Sequence, residues 1–217
     1  MHICLPYGFL KNELFRCLFA DLELEYIPAP VAGKHTAAAG KQGAAALCEE
    51  LQRTFGSLCE CYSLGADTAL LLPPCSTCDA AWSAWQLEQC LAAAGFAMQL
   101  IAVEPAGKNR ALFSFLRAQS EVSAFHFWDA RRRFYDCRAL LLAYEQLLSG
   151  MSKDSRYADY LLRVKGHIES ANSLLQLKIV LRTYLKRLQP LAAAPATEMP
   201  AFSAPAKGRK ALFFGSL

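Results

Sequence analysis

The first hundred residues alternate between short apolar runs and longer stretches with helical spacing. Ile3-Cys4-Leu5 reads as a buried strand, Leu10 to Ala20 as a helix, Leu24-Glu25-Tyr26-Ile27 as a second strand and about Ala44 to Tyr62 as a helix. Thr68-Ala69-Leu70-Leu71-Leu72 is a third strand, about Ala80 to Ala94 a helix and Met98 to Val103 a fourth strand. Strands of this length separated by helical patterns predict βαβ units, hence an α/β fold with a mostly parallel sheet and helices on both faces. In such sheets ligands bind outside the carboxyl ends of the strands, so the loops leading into helices are where function is expected.

From Leu112 to about Leu188 the pattern is helical throughout. Tyr157, Leu161, Val164, Ile168, Ala171 and Leu175 recur every three or four residues, the spacing of one apolar face on one long helix. Residues 189–207 place Pro190, Pro195, Pro200 and Pro205 at a five-residue interval among alanines, which predicts an extended linker. Arg209 to Leu217 then reads as a strand entering a glycine turn. The expected organisation is a Rossmann-like lobe over residues 1–110, a helical segment over 111–188, a linker over 189–207 and, over 208–217, the first strand of a second, missing α/β lobe.

Charge changes this picture in one place. Residues 1–149 carry 12 basic and 15 acidic side chains, whereas residues 150–217 carry 11 basic and 4 acidic, so the net +4 arises in the C-terminal third. An anionic partner or surface, or a solvated helix face, accounts for such an excess. The chain holds nine cysteines, an odd number, and opens on Met1-His2-Ile3-Cys4-Leu5-Pro6 without a signal-like segment. This points away from a secreted disulfide framework and toward a cytoplasmic protein whose thiols stay reduced or bind metal. No run approaches the length of a membrane span, and neither a membrane nor a nucleic acid is expected as partner.

The local chemistry centres on Cys75-Ser76-Thr77-Cys78, which follows the Thr68–Leu72 strand and leads into a helix. A Cys-x-x-Cys pair there brings two sulfurs together where helix N–H groups favour thiolates, as metal, cluster and thiol–disulfide sites require. Cys48, at the start of the preceding helix, is the natural third ligand. Three thiolates fit poorly to closed zinc but suit an iron–sulfur cluster with one iron left open. Cys4, Cys17 and Cys90 read as core residues, Cys59 and Cys61 point to different helix faces, and Cys137 is inert. Ala32-Gly33-Lys34-His35-Thr36 and Gly40-Lys41-Gln42-Gly43 fail as phosphate-binding loops, although a Gly/Ala-rich loop with Lys34 and Lys41 could approach an anion. His126 reads as a packing histidine and Arg131-Arg132-Arg133 as a basic cluster without the interleaved exposed aromatics of a nucleic-acid site.

These residues resemble a family. His2-Ile3-Cys4-Leu5-Pro6-Tyr7-Gly8, Cys48, the segment Leu64 to Leu72, the Cys75-x-x-Cys78 pair and Glu104-Pro105 are similar to the acyl-CoA dehydratase activase-related proteins, cousins of the 2-hydroxyacyl-CoA dehydratase subunits. The resemblance implies a [4Fe–4S] cluster on Cys48, Cys75 and Cys78, an acyl-CoA-type substrate, a possible dimer and a separate ATP-dependent activator of the actin/sugar-kinase superfold that supplies electrons. The chain departs from the family pattern at Glu49-Glu50, Pro73-Pro74 and Asp79, where Glu50 and Asp79 add negative charge beside the thiols. Two other readings compete with the iron–sulfur component: a non-enzymatic binding module of the same fold, and a thiol–disulfide oxidoreductase using Cys75 and Cys78 alone.

Overall fold

A computed structural model describes residues 2–6, 9–72, 80–104, 107, 109–151 and 158–193. Four parallel strands, β1 (Ile3–Leu5), β2 (Tyr26–Pro28), β3 (Thr68–Leu71) and β4 (Gln99–Ala102), lie in the order β2-β1-β3-β4. Cys4 pairs with Ile27 on one side and Ala69 on the other, and Ala69 pairs in turn with Leu100. The chain moves outward from β1 to β2, then crosses back to β3, so its direction switches between β1 and β3. That switch is the usual ligand crevice of an open parallel sheet.

Helices cover both faces, as the alternating apolar strands require. On one face Cys4, Ala69, Leu71 and Leu100 meet α3 (Glu49–Ser63) and α4 (Ala80–Ala93) through Phe55, Leu58, Cys61, Leu87 and Leu91. On the other, Ile3, Leu5 and Leu70 meet α1 (Phe9–Asp21), α5 (Arg110–Gln119), α6 (Ala124–Met151), α7 (Ala158–Glu169) and α8 (Leu174–Ala193). Phe134 of α6 joins these helices, its ring centroid 5.3 Å from Phe15 and 5.4 Å from Phe113. The helical segment after β4 is therefore the second cover of the sheet.

The three helices that run back into β2, β3 and β4 end alike. Ala66 N–H donates to Cys61 O and Gly65 N–H to Tyr62 O, while Phe96 donates to Leu91 O and Gly95 to Ala92 O. Both glycines take the left-handed conformation that this double bond needs, with φ of 95° and 83°. At the end of α1 the same bonds run from Leu24 to Phe19 O and from Glu23 to Ala20 O, but the left-handed residue is Glu23, at φ 55°. Its Cβ makes that conformation costly. Glu23→Gly is therefore expected to raise stability by about 0.5–1 kcal/mol, read as a higher urea midpoint with an unchanged slope; a lower midpoint would contradict the assignment.

Three elements depart from the sequence reading. Lys34 to Gly43, read as a loop, is a helix, α2 (Lys34–Gly43), because its glycines serve a close helix contact rather than a turn. The apolar face drawn through Leu175 as one helix is two helices. Ser173 Oγ accepts the Gln176 N–H at 3.2 Å and Gln176 Oε1 accepts the Asn172 N–H at 2.8 Å, starting α8 afresh, so that Leu174 enters the core and Leu175 faces out. The turn between α7 and α8 is gripped from α1 and α6: Arg16 donates to Glu169 O and Ala171 O, Cys17 Sγ to Ala171 O and Cys137 Sγ to Leu174 O. Finally, α8 runs on to Ala193, past Pro190 and into the stretch read as linker, the alanines after the proline sustaining one more turn. Residues 194–217, with the rest of that linker and the predicted terminal strand, lie outside the described residues.

Candidate functional site

Cys48 is positioned by a tight pair of helices. α2 runs antiparallel to α3 with Thr36 against Gly56 and Gly40 against Gln52, so near that a Cβ on Gly56 would stand 2.0 Å from Thr36 O and one on Gly40 2.1 Å from Gln52 O. Thr36 Oγ1 accepts the Gly33 N–H at 2.9 Å and donates to Glu60 Oε1 at 2.6 Å, tying the start of α2 to the far end of α3. α3 is about 22 Å long against about 13 Å for β3, so its N-terminus overhangs the carboxyl edge of the sheet. A cleft of about 440 Å³ between the two helices is lined by Gly33, Thr36, Glu50, Arg53 and Ser57.

At that overhang Cys48 occupies the N-cap of α3, with φ −63° and ψ 158°. The position favours Ser, Thr, Asp or Asn, whose oxygens accept a first-turn N–H, yet the Cys48 side chain makes no such bond and is exposed. The thiol is thus used neither for capping nor for packing. Glu49 and Glu50 occupy the first turn, where carboxylates suit the helix dipole, and Arg53 pairs with both, at 2.6 and 3.8 Å. The charge that Glu50 brings beside Cys48 is offset one turn later.

α4 lies beside α3 on the same face of the sheet and runs in the same direction, since α3 leads into β3 and α4 leads out of it. Their N-termini therefore rise at the same edge. Cys48 comes there by way of the α2–α3 pair and not directly from the loop after a neighbouring strand, because β1 separates β2 from β3. Leu72 ends the described chain after β3; Cys75 and Cys78 fall in residues 73–79, as does Asp79, outside the described residues. Among the described residues no three His, Cys, Asp or Glu side chains gather as a metal site.

The other described cysteines have structural surroundings. Cys4 and Cys61 are fully buried and face each other between β1 and α3; the hydrogen bond between them and their burial hold the Cys4 thiol far above the ordinary thiol range. Burial pushes Cys17 and Cys137 up to about 12 and Cys59 up to about 11. Protonated thiols are poor ligands and poor nucleophiles; Cys61, whose thiol the bond from Cys4 holds below its ordinary range, is closed off by full burial instead. Brief treatment of the folded protein with iodoacetamide is accordingly expected to modify Cys48 and to spare Cys4, Cys17, Cys61 and Cys137 until denaturant is added. Peptide mass spectrometry reads this directly, and equal labelling of Cys17 and Cys48 would contradict it.

Other sequence candidates are accounted for by packing. His126 is not buried: it is exposed, with Nε2 2.8 Å from Asp21 O, and joins α6 to the end of α1. The three arginines after it are engaged within the fold. Arg131 lies over the rings of Trp128 and Phe113, 4.8 and 5.1 Å from their centroids, while Arg132 and Arg133 both pair with Asp129. Lys34 and Lys41 lie on α2 rather than in an anion-binding loop.

One residue at the carboxyl edge escaped the sequence reading. Asn109, at φ 45°, closes the loop after β4 by accepting the Glu104 N–H at 2.8 Å and donating to Glu104 O at 3.0 Å. Arg138 of α6 bonds Gly107 O in the same loop at 2.9 Å. An asparagine just before a helical pattern is the only sequence signal of this closure. Comparison of the chain with protein-family models, with curated proteins and with solved structures finds no match.

Proposed function

We propose that this protein is an iron–sulfur electron-transfer or dehydratase-like component, with Cys48, Cys75 and Cys78 as the ligands of a [4Fe–4S] cluster. The observation that carries the reading is the state of Cys48: an exposed thiol without a capping or packing role, at the N-terminus of a helix adjacent to the one that the Cys75-x-x-Cys78 segment enters. Thiolates are the donors such clusters take, and helix N-termini favour them. When bound, a cluster of this kind supplies one-electron chemistry at low potential.

The chain's own residues hold the site in place. The α2–α3 contact fixes the start of α3, Arg53 tempers the charge of Glu49 and Glu50, and Asn109 closes the neighbouring loop at the carboxyl edge. The electron source in this reading is a separate ATP-dependent activator, and the substrate class is an acyl-CoA thioester.

Anaerobic purification and reconstitution with iron and sulfide test the proposal. The expected product is brown, contains iron and sulfide in equal amounts, and loses both in Cys75→Ala. A colourless parent without iron, or a Cys75→Ala variant that retains iron as well as the parent, overturns it. Retention of a reducible Cys75–Cys78 disulfide with Cys48 dispensable would identify a thiol oxidoreductase instead.

A further inference from the structure

The sheet ends in two edge strands, and the fold closes only one of them. On β4, Gln99 and Val103 donate inward to Asp67 O and Leu71 O, so Leu100 turns its main-chain groups outward. Its N–H is taken by Glu88 Oε1 of α4 at 3.3 Å. A carboxylate laid there repels the carbonyls of any added strand, one of the ways natural edges are blunted. On β2 the bond from Thr68 N–H to His2 O fixes the alternation. Ile3 and Leu5 turn toward β2, Ile27 turns toward β1, and Tyr26 and Pro28 turn outward. Pro28 has no N–H, and the N–H of Leu24, just before the strand, is spent on Phe19 O. Among the described residues Tyr26 therefore presents the one free donor of this edge, beside its own free carbonyl. Clefts of about 510 and 340 Å³ open on either side of it, the first toward Leu24 and Glu25, the second toward Pro28 and Lys165.

From this we infer that β2 is the surface on which two copies of this chain pair, antiparallel and two-fold symmetric about Tyr26. Residues directly opposite in an antiparallel ladder exchange both N–H···O=C bonds, so a single free donor and a single free carbonyl on each edge are what such a pair consumes. Charge sets the direction and favours a second copy over a foreign strand. Glu23 and Glu25, at the start of β2, are exposed and have no ion pair among the described residues. At its far end Lys165 of α7 stands in the cleft, 3.9 Å from Glu169, while Glu13 is taken by Arg16. Antiparallel pairing lays the acidic end of each copy against the Lys165 end of the other, whereas parallel pairing would set Glu25 against its own counterpart. The two sheets then continue as one, capped by Glu88 at both outer edges.

Sedimentation equilibrium of the full chain tests the inference. The parent is expected to form a reversible dimer, with a mass of twice 23.9 kDa that falls toward that of one chain on dilution. Glu23→Lys with Glu25→Lys should weaken dimerisation roughly tenfold or more and leave the circular-dichroism spectrum unchanged, because both side chains are exposed. Adding Lys165→Glu to that pair should recover the dimer. Tyr26→Pro deletes the free N–H and should give a monomer. It also removes the ring that packs 5.8 Å from Phe19, so the charge variants decide the matter if it does not fold. A parent that stays monomeric up to about 100 μM, a contact weaker than about 5 kcal/mol, overturns the inference. So does a dimer indifferent to the charge variants, and so do oligomers that keep growing with concentration, since a two-fold contact at one edge closes on itself. None of these readouts depends on iron, so they stand apart from the cluster proposal.

Discussion

Gly56→Ala is expected to destabilise the protein by about 2–3 kcal/mol, the cost of overpacking a closed contact, even though alanine in a helix interior ordinarily gains about 1 kcal/mol over glycine. The reason is what the new methyl group meets. It would stand 2.0 Å from Thr36 O and 2.8 Å from Thr36 C, backbone atoms of α2 that no side-chain rotation can clear, so the two helices must separate. Gly40 presents the same contact from the other helix, 2.1 Å from Gln52 O. Separation would also loosen Phe55, which is 2% exposed and belongs to the core under the sheet. Gly166, in the last turn of α7 with no atom from outside its own turn of helix within 4 Å of its would-be Cβ, supplies the control. Gly166→Ala should stabilise by about 0.5–1 kcal/mol. Thermal or urea unfolding of the two variants should thus move in opposite directions for one and the same chemical change. A Gly56→Ala protein as stable as the parent would mean that α2 does not lie where the structure has it.

The same glycines explain what could and could not be read from the sequence. The α/β class, four parallel strands and helices on both faces follow from apolar runs that alternate with helical spacing, because Ile3, Cys4, Ala69 and Leu70 must be covered on both sides. α2 was hidden because Gly40 and Gly43 resemble loop residues in one dimension, and their purpose, admitting the Gln52 backbone and the Phe55 ring, exists only once α3 lies against them. The restart of the chain at α8 was written in Ser173-Leu174-Leu175-Gln176, a capping box, but a steady three-and-four spacing through Leu175 masked it. Cys48 was legible as lying near a helix start, although the spacing put that start at about Ala44, some five residues before Glu49, where α3 begins. Its exposure, and the pairing of Glu49 and Glu50 with Arg53, were not, since helical spacing places side chains around an axis without saying which are left outside. Cys4 and Cys61 show the converse: sequence assigned both to regular elements, but their contact across the sheet–helix layer depends on long-range packing.

Cys48→Asn should separate fold from function at the candidate site, because its two expected effects have opposite signs. Asparagine at the N-cap of α3, where φ is −63° and ψ 158°, can accept a first-turn N–H that the thiol leaves without a side-chain partner. The variant is therefore expected to be more stable than the cluster-free parent by about 0.5–1 kcal/mol. As a ligand, a neutral amide cannot replace a thiolate, and iron retained after anaerobic reconstitution should fall to the level of Cys75→Ala. A cysteine kept for structure would give the reverse, with stability lost and iron unaffected. A gain in stability with full iron content would remove Cys48 from the ligand set while leaving Cys75 and Cys78 in it. Stability measured without iron and iron measured at fixed stability thus decide independently whether the residue at the head of α3 is there to hold the helix or to hold a cluster.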